Sequence, residues 1–94
     1  MLYLVLAHDG TDPDAPARRQ RVREQHLAGI GPAAASGVLQ VGGAILDADG
    51  AMIGSALIVE AANEAEARAF LEGDVYSREG VWQSLTIYPF KRAV

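Results

Sequence analysis

Apolar residues occupy both alternating sets of the segment Leu2–His8, with Leu2, Leu4 and Leu6 on one side and Tyr3, Val5 and Ala7 on the other. A strand that is apolar on both faces belongs in the interior of a sheet, and the turn pair Asp9-Gly10 ends it. Thr11–Pro16 is a polar loop holding two prolines. A helix is predicted to start near Pro16, a residue suited to a first turn. Val22, Leu27, Ile30, Ala33 and Ala34 then recur at helical spacing as far as about Ser36, and Gly37 is the expected stop. Gly29, Gly31 and Pro32 should weaken or kink the second half of this helix.

Val38–Leu46 alternates weakly, and its Gly42-Gly43 pair predicts a bulge or a close backbone approach. Asp47-Ala48-Asp49-Gly50 is a turn, which makes Met52–Glu60 the second arm of a hairpin. Asn63 and Glu66 have capping-box spacing; the short helix they open, with Ala65, Ala69 and Phe70 as its apolar residues, should end near Gly73. Asp74–Gly80 is polar and has room for one helical turn. Val81–Phe90 closes the chain as a strand, with Leu85 and Ile87 on one face, Ser84, Thr86 and Tyr88 on the other, and Pro89 fitting an edge.

The predicted order is strand, helix, strand, strand, helix, strand. This is the ferredoxin-like βαββαβ plait of the α+β class, a four-stranded antiparallel sheet with both helices on one face, expected to span residues 1–94 as one domain. Two helices packed on one face cannot also cover the opposite face, yet Leu2–Ala7 and Ala56–Val59 are apolar on both sides. A large open apolar surface marks an interaction site. The expected partner is a second copy of the chain, in a homodimer through the open sheet face.

Composition narrows the function. Eight Lys and Arg against twelve Asp and Glu, a formal charge of −4 over 94 residues, offer no basic footprint for phosphates, so no nucleic-acid partner is expected. The chain lacks cysteine, which removes disulfide, thiolate, iron–sulfur and cysteine–zinc chemistry and suits a cytoplasmic protein. The longest apolar run, Leu2–Ala7, is far shorter than the ~20 residues of a membrane span, so no membrane partner is expected either.

His26 follows Val22 and precedes Ile30 by one turn each, which puts its ring along or beside the stripe that packs on the sheet. Such an imidazole is either a core-edge side chain satisfied by a carbonyl or a general acid or base with a carboxylate partner. Asp74, after Gly73 and at the head of the polar turn containing Tyr76, is the best candidate for that partner; the alternative is a capping or turn aspartate. Arg19 and Arg23 share the His26 side of the helix and could fork onto a small anionic substrate, unless they are solvated surface arginines. Ser55 is outside any nucleophile-elbow motif and could donate a hydrogen bond into a cleft. His8, Asp9 and His26 could in principle converge on a divalent ion, but they lack paired metal-ligand spacing, and a solvated acidic loop is the favoured reading.

Taken in order, several segments resemble the YciI-like, or YCII-related, family across nearly the whole chain. They are the Leu2-Tyr3 strand ending at His8-Asp9, Arg19-x-x-x-Arg23-x-x-His26-Leu27, Gly54-Ser55, Gly73-Asp74-Val75-Tyr76, Gly80-Val81 and Pro89-Phe90-Lys91. The chain departs from the family pattern at Val75 and Gly43, where proline is common. The resemblance implies a dimeric ferredoxin-like α+β barrel with a helix histidine paired to an aspartate, matched here by His26 and Asp74. One branch of the family is similar to dehydrochlorinases acting on chlorinated hydroxyhydroquinones, and related barrels include lactone isomerases and cofactor-free monooxygenases.

The function expected on this basis is lyase- or isomerase-type proton transfer on a small cyclic or aromatic compound. His26 and Asp74 would be catalytic, and Arg19, Arg23, Ser55 and Tyr76 would bind substrate, with no metal and no cofactor. The rival readings are a small-molecule-binding or regulatory module using the same cleft without turnover, and an interaction protein in which the pair only fastens helix to loop.

Overall fold

Alternation along the first strand sorts its side chains into two environments: Tyr3, Val5 and Ala7 are buried, while Leu2, Leu4 and Leu6 are half-buried. The computed structural model describes residues Met1–Val94, and this strand, β1 (Leu2–Asp9), lies inside its sheet. The remaining elements are α1 (Ala15–Ser36), β2 (Leu39–Leu46), β3 (Met52–Glu60), α2 (Glu64–Glu72), α3 (Val75–Arg78) and β4 (Trp82–Phe90). The strands run in the order β2-β3-β1-β4, every neighbour antiparallel. This is the ferredoxin-like α+β plait expected from the element order, with α3 as the single turn in the polar segment. Pro89 lies on the edge strand β4, opposite Tyr3, where its missing N–H costs no second ladder bond.

The core lies between the helices and one face of the sheet. Val5, Val59, Leu71, Tyr76 and Val81 are its largest fully buried side chains, the aliphatic ones each contributing roughly 1.5–3 kcal/mol by leaving water. The side of α1 that meets this core differs from the expected stripe. Ala15, Arg19, Val22 and His26 are buried, Ile30 and Ala33 pack partly against the core, and Leu27 and Ala34 are exposed. The seam follows the spacing i, i+4, i+7, i+11, and Leu27 stands about 100° away from it. Two seam positions are occupied by Arg19 and His26, so apolar periodicity alone misplaces the buried face. The helix continues through Gly29, Gly31 and Pro32 to the left-handed cap at Gly37.

A similar correction applies to α2, where Ala67 and Leu71 are buried and Ala65 and Ala69 face solvent. The Asn63 side chain accepts from the Glu66 backbone N–H at 2.8 Å, and Glu66 accepts from Ala62 N at 3.3 Å. The box therefore closes one residue before the cap. At the hairpin, Asp47 Oδ1 accepts from Asp49 N and Ala51 N, and Gly50 adopts φ +86°, the left-handed conformation that glycine takes without strain.

No bulge occurs at Gly42-Gly43. These residues pair regularly with Leu57 and Ala56, and the register shifts instead between Leu39 and Val41 and between Ile45 and Leu46. The close approach is at Gly54, where a Cβ would lie 2.5 Å from the Ala7 carbonyl oxygen. The opposite sheet face has no helix over it, and Val41 and Tyr88 there are 56% and 50% exposed. No helix is long and apolar enough to cross a membrane.

Candidate active site

The four-residue helix α3 starts at Asp74, whose extended backbone lets its carboxylate turn back on the first turn. Oδ1 accepts from Tyr76 N at 2.8 Å and lies 2.8 Å from His26 Nδ1. The aspartate that caps α3 is thus also the carboxylate in contact with His26. The His26 and Asp74 side chains retain 9% and 10% of their exposure. An ionised carboxylate only accepts, so pairing with one puts an imidazole hydrogen on Nδ1 and leaves Nε2 as the ring nitrogen not engaged by Asp74.

Aromatic packing fixes the plane of that ring. Tyr76 stacks on His26 with centroids 3.8 Å apart and planes 6° from parallel, and Trp82 meets both rings edge-on. Both neighbours are buried, so the imidazole cannot swing away without opening the core. The Tyr76 hydroxyl is itself buried and has no hydrogen-bond partner. Burial pushes the phenol above its ordinary pKa, Arg19 and Arg23 pull it down, and Asp9 and Asp74 push it up.

Arg19 reaches inward from the second turn of α1. Its Nη1 donates to both carboxylate oxygens of Asp9 at 2.9 Å, its Nη2 donates to Ser55 Oγ at 3.1 Å, and its guanidinium stands 4.9 Å over the Tyr76 ring. Ser55 Oγ also accepts from Trp82 Nε1 at 3.1 Å. With side-chain exposures of 7% and 4%, Arg19 and Asp9 form a buried ion pair. The fork expected to be available to a substrate is therefore engaged within the protein. Arg23 is half-buried and makes no ion pair with the chain's carboxylates. Arg18 turns outward to Asp12 and the Gly80 carbonyl. His8, Asp9 and His26 do not gather into a metal-binding cluster, because Asp9 is taken by Arg19 and Asp74 lies against His26.

His26 borders two hollows. One, of about 370 Å³, lies between α1 and the α2–α3 corner and includes Asp74, Phe70 and Arg78 in its wall. The other, of about 170 Å³, lies between α1 and the β2–β3 hairpin; Arg19, Arg23, Ser55 and Tyr76 line it. Gly42 and Ala44, paired with Leu57 and Ser55, supply its small-residue wall. The structure thus brings together His26, Asp74, Tyr76, Arg19, Arg23 and Ser55. Asp9 and Trp82 join them without having been singled out for these contacts. Asp9 had a signal in its place at the end of an apolar strand, where a carboxylate needs a partner; Trp82 had none beyond being the lone tryptophan.

The chain is similar in sequence and fold to several known proteins. The fold and nearly the full length match 5-chloro-2-hydroxyhydroquinone dehydrochlorinase (TftG) from Burkholderia phenoliruptrix AC1100, in a structure complexed with 2,5-dihydroxybenzoquinone. The two chains are 32% identical with a TM-score of 0.85, covering 99% of this chain and 96% of that one. Fusaric acid biosynthesis protein 2 of Gibberella fujikuroi is 32% identical over 97 residues, 95% of this chain and 91% of the relative. Rv0793 from Mycobacterium tuberculosis shares the fold at a TM-score of 0.59 and 20% identity, with full coverage of both chains. The family profile described as the YCII-related domain matches residues 1–91. With that match running from the first strand to the residue after the last, the chain belongs to the YCII-related domain family.

Proposed function

We propose that the protein is an enzyme of small cyclic or aromatic compounds, using His26 as a general acid/base held by Asp74 in a lyase- or isomerase-type proton transfer. The observation that carries this reading is the 2.8 Å contact between His26 Nδ1 and Asp74 Oδ1, with His26 in the wall of the cavity that Arg23 and Tyr76 also line. The aspartate orients the ring and stabilises the imidazolium formed when Nε2 takes a proton. General-base assistance contributes roughly 10²–10⁴-fold, which suits an acidic phenol or carbon acid and would not suffice for peptide or phosphodiester hydrolysis. The free Arg23 guanidinium and the unpartnered Tyr76 hydroxyl would hold the substrate oxygens, and Arg19 with Asp9 and Ser55 would keep the wall in place. The resemblance to a dehydrochlorinase solved with a quinone supports the substrate class.

In a reaction of this type one ring hydroxyl ketonises as a proton is delivered to the chlorine-bearing carbon, and a base then takes a second hydroxyl proton while chloride leaves that carbon with its bonding pair, so net HCl is lost and no redox partner is needed. The test is chloride release from 5-chloro-2-hydroxyhydroquinone and titration with 2,5-dihydroxybenzoquinone, the compounds named with the dehydrochlorinase. Turnover that disappears in His26→Ala supports the enzyme. Saturable binding with neither release of chloride nor exchange of a substrate proton with deuterated solvent would instead support a binding or regulatory module.

A second copy covering the open sheet face belongs to the same proposal. Leu4, Leu6 and Ile58 are half-exposed there beside Val41 and Tyr88, an apolar surface of the kind that marks association. Light scattering at micromolar concentration should give twice the chain mass, and a stable monomer would end this part.

A further inference from the structure

The irregularity in the β2–β3 hairpin bears on the size of the ligand. Ile45 pairs with Gly54 and Leu46 pairs with Met52, which leaves Ile53 as the extra, unpaired residue of β3. Strict alternation from the inward-facing Ser55 would put Ile53 on the helix side and Met52 on the open face. The extra residue reverses this and turns Met52 onto the face of Ser55 and Ala44, the re-aiming that bulges perform.

Met52 consequently lines two hollows. One is the 170 Å³ cavity that holds His26 and Tyr76. The other is an outer cavity of about 640 Å³ at the end of the sheet, bordered by His8, Asp12, Gln20 and Asp47. Arg19 is the other residue common to both, and its guanidinium is fixed by Asp9 and Ser55. Met52 is 40% exposed and carries an unbranched, adaptable thioether. A cavity of about 150 Å³ holds one benzene ring, so the inner space of about 170 Å³ matches a single substituted ring, and a second fused ring would have to extend beyond it.

We infer that Met52 is a specificity-determining residue, the partition that limits the inner cavity to one-ring ligands by closing it from the outer cavity. This rests on the reading of the inner cavity as the place where a cyclic compound meets His26. Shortening the side chain joins the two spaces, and restoring its bulk separates them. The hairpin bulge is what places that side chain, so the limit is set by the strand register as much as by residue type.

The test titrates the purified protein, the Met52→Ala variant and the Met52→Leu variant with the monocyclic dihydroxybenzoquinone and with a hydroxynaphthoquinone one ring larger. The wild type and Met52→Leu should bind the monocycle and discriminate against the bicycle by about tenfold or more, the scale on which pocket size selects. Met52→Ala should recover most of that factor for the bicycle and change the monocycle less than about threefold. A wild type that binds both equally, or a Met52→Ala variant that still excludes the bicycle while taking the monocycle, would overturn the inference. Failure of every form to bind either ring would overturn the ring-binding reading itself, and the partition with it. A thermal melt of each variant separates misfolding from selectivity, and Met52→Val, which shortens the side chain less, takes the place of Met52→Ala with the same expected gain for the bicycle if alanine unfolds the protein.

Discussion

The rings of His26 and Tyr76 lie parallel at 3.8 Å, with the tyrosine hydroxyl buried and unpartnered. The stack orients the imidazole, while the hydroxyl contributes nothing within the protein and costs desolvation. Tyr76→Phe keeps the ring, so urea unfolding at neutral pH should show unchanged stability or a gain of up to about 1 kcal/mol. Quinone affinity should fall about tenfold if the hydroxyl donates to a ligand oxygen. Tyr76→Leu removes the stack as well and should cost about 2–4 kcal/mol.

The same phenol predicts a difference at alkaline pH. Burial raises its pKa in the folded protein above the ordinary 10.0. The folded state then holds the proton more tightly than the unfolded chain, so this contribution is fully present below the unfolded value and is lost as pH rises through the folded one. The unfolding free energy of the wild type should therefore drop relative to Tyr76→Phe once pH passes the ordinary tyrosine value. Parallel stability curves for the two proteins across that range would contradict a buried, neutral Tyr76.

Asp74 serves structure and chemistry with one oxygen, and two substitutions separate them. Asp74→Asn keeps an oxygen able to accept from both Tyr76 N and His26 Nδ1 but removes the charge that stabilises an imidazolium. Turnover should fall about 10²–10⁴-fold, with stability within about 1 kcal/mol of wild type. Asp74→Ala also loses the cap, worth about 1 kcal/mol, and leaves a buried ring nitrogen unpaired for about 1–3 kcal/mol more. Full turnover in Asp74→Asn would show that the carboxylate acts only as a cap.

These effects show which parts of the site are legible along the chain. The sheet is readable because alternation in β1 and the paired turn signals at Asp9-Gly10 and Asp47–Gly50 act over a few residues, and the element order leaves few topologies. Asp74 is readable as a cap because capping is local; its reach to His26 spans 48 residues of sequence. On α1 the buried seam is obscured because Arg19 and His26 occupy positions where hydrophobic residues are expected. What makes burial tolerable at those positions, Asp9 for Arg19 and Asp74 for His26, lies on other elements. The register shift that turns Met52 inward is likewise invisible to local pattern, since the glycine pair in β2 is the more conspicuous bulge signal and pairs regularly.

The buried Arg19–Asp9 pair should be expensive to break and cheap to replace. Asp9→Leu leaves a guanidinium without its counter-charge and should cost about 3–5 kcal/mol. The double variant Asp9→Leu with Arg19→Met removes both charges and should recover most of that loss, although it also takes a donor from Ser55. Denaturant unfolding of the two single variants and the double closes the cycle. Additive losses would mean that the two side chains stand independently despite their 2.9 Å contacts.

Gly54 gives the sharpest steric prediction because the atom it would strike cannot move aside alone. An alanine Cβ would stand 2.5 Å from the Ala7 carbonyl oxygen and 3.4 Å from Ile45 Cδ1. Relief requires β3 to shift away from β1, since a backbone oxygen has no rotamer to change. Gly54→Ala should therefore destabilise the protein by about 1–3 kcal/mol, and it should displace the adjacent Ser55, whose hydroxyl takes donors from Arg19 and Trp82. Near-ultraviolet circular dichroism of Trp82 would report that displacement alongside the unfolding curve. Gly43→Ala is the control: nothing lies within 4 Å of its Cβ, so reduced freedom of the unfolded chain should leave stability unchanged or raise it by about 0.4–1 kcal/mol. Equal effects at the two positions would mean that strand propensity, rather than the approach of β1, selects glycine at position 54.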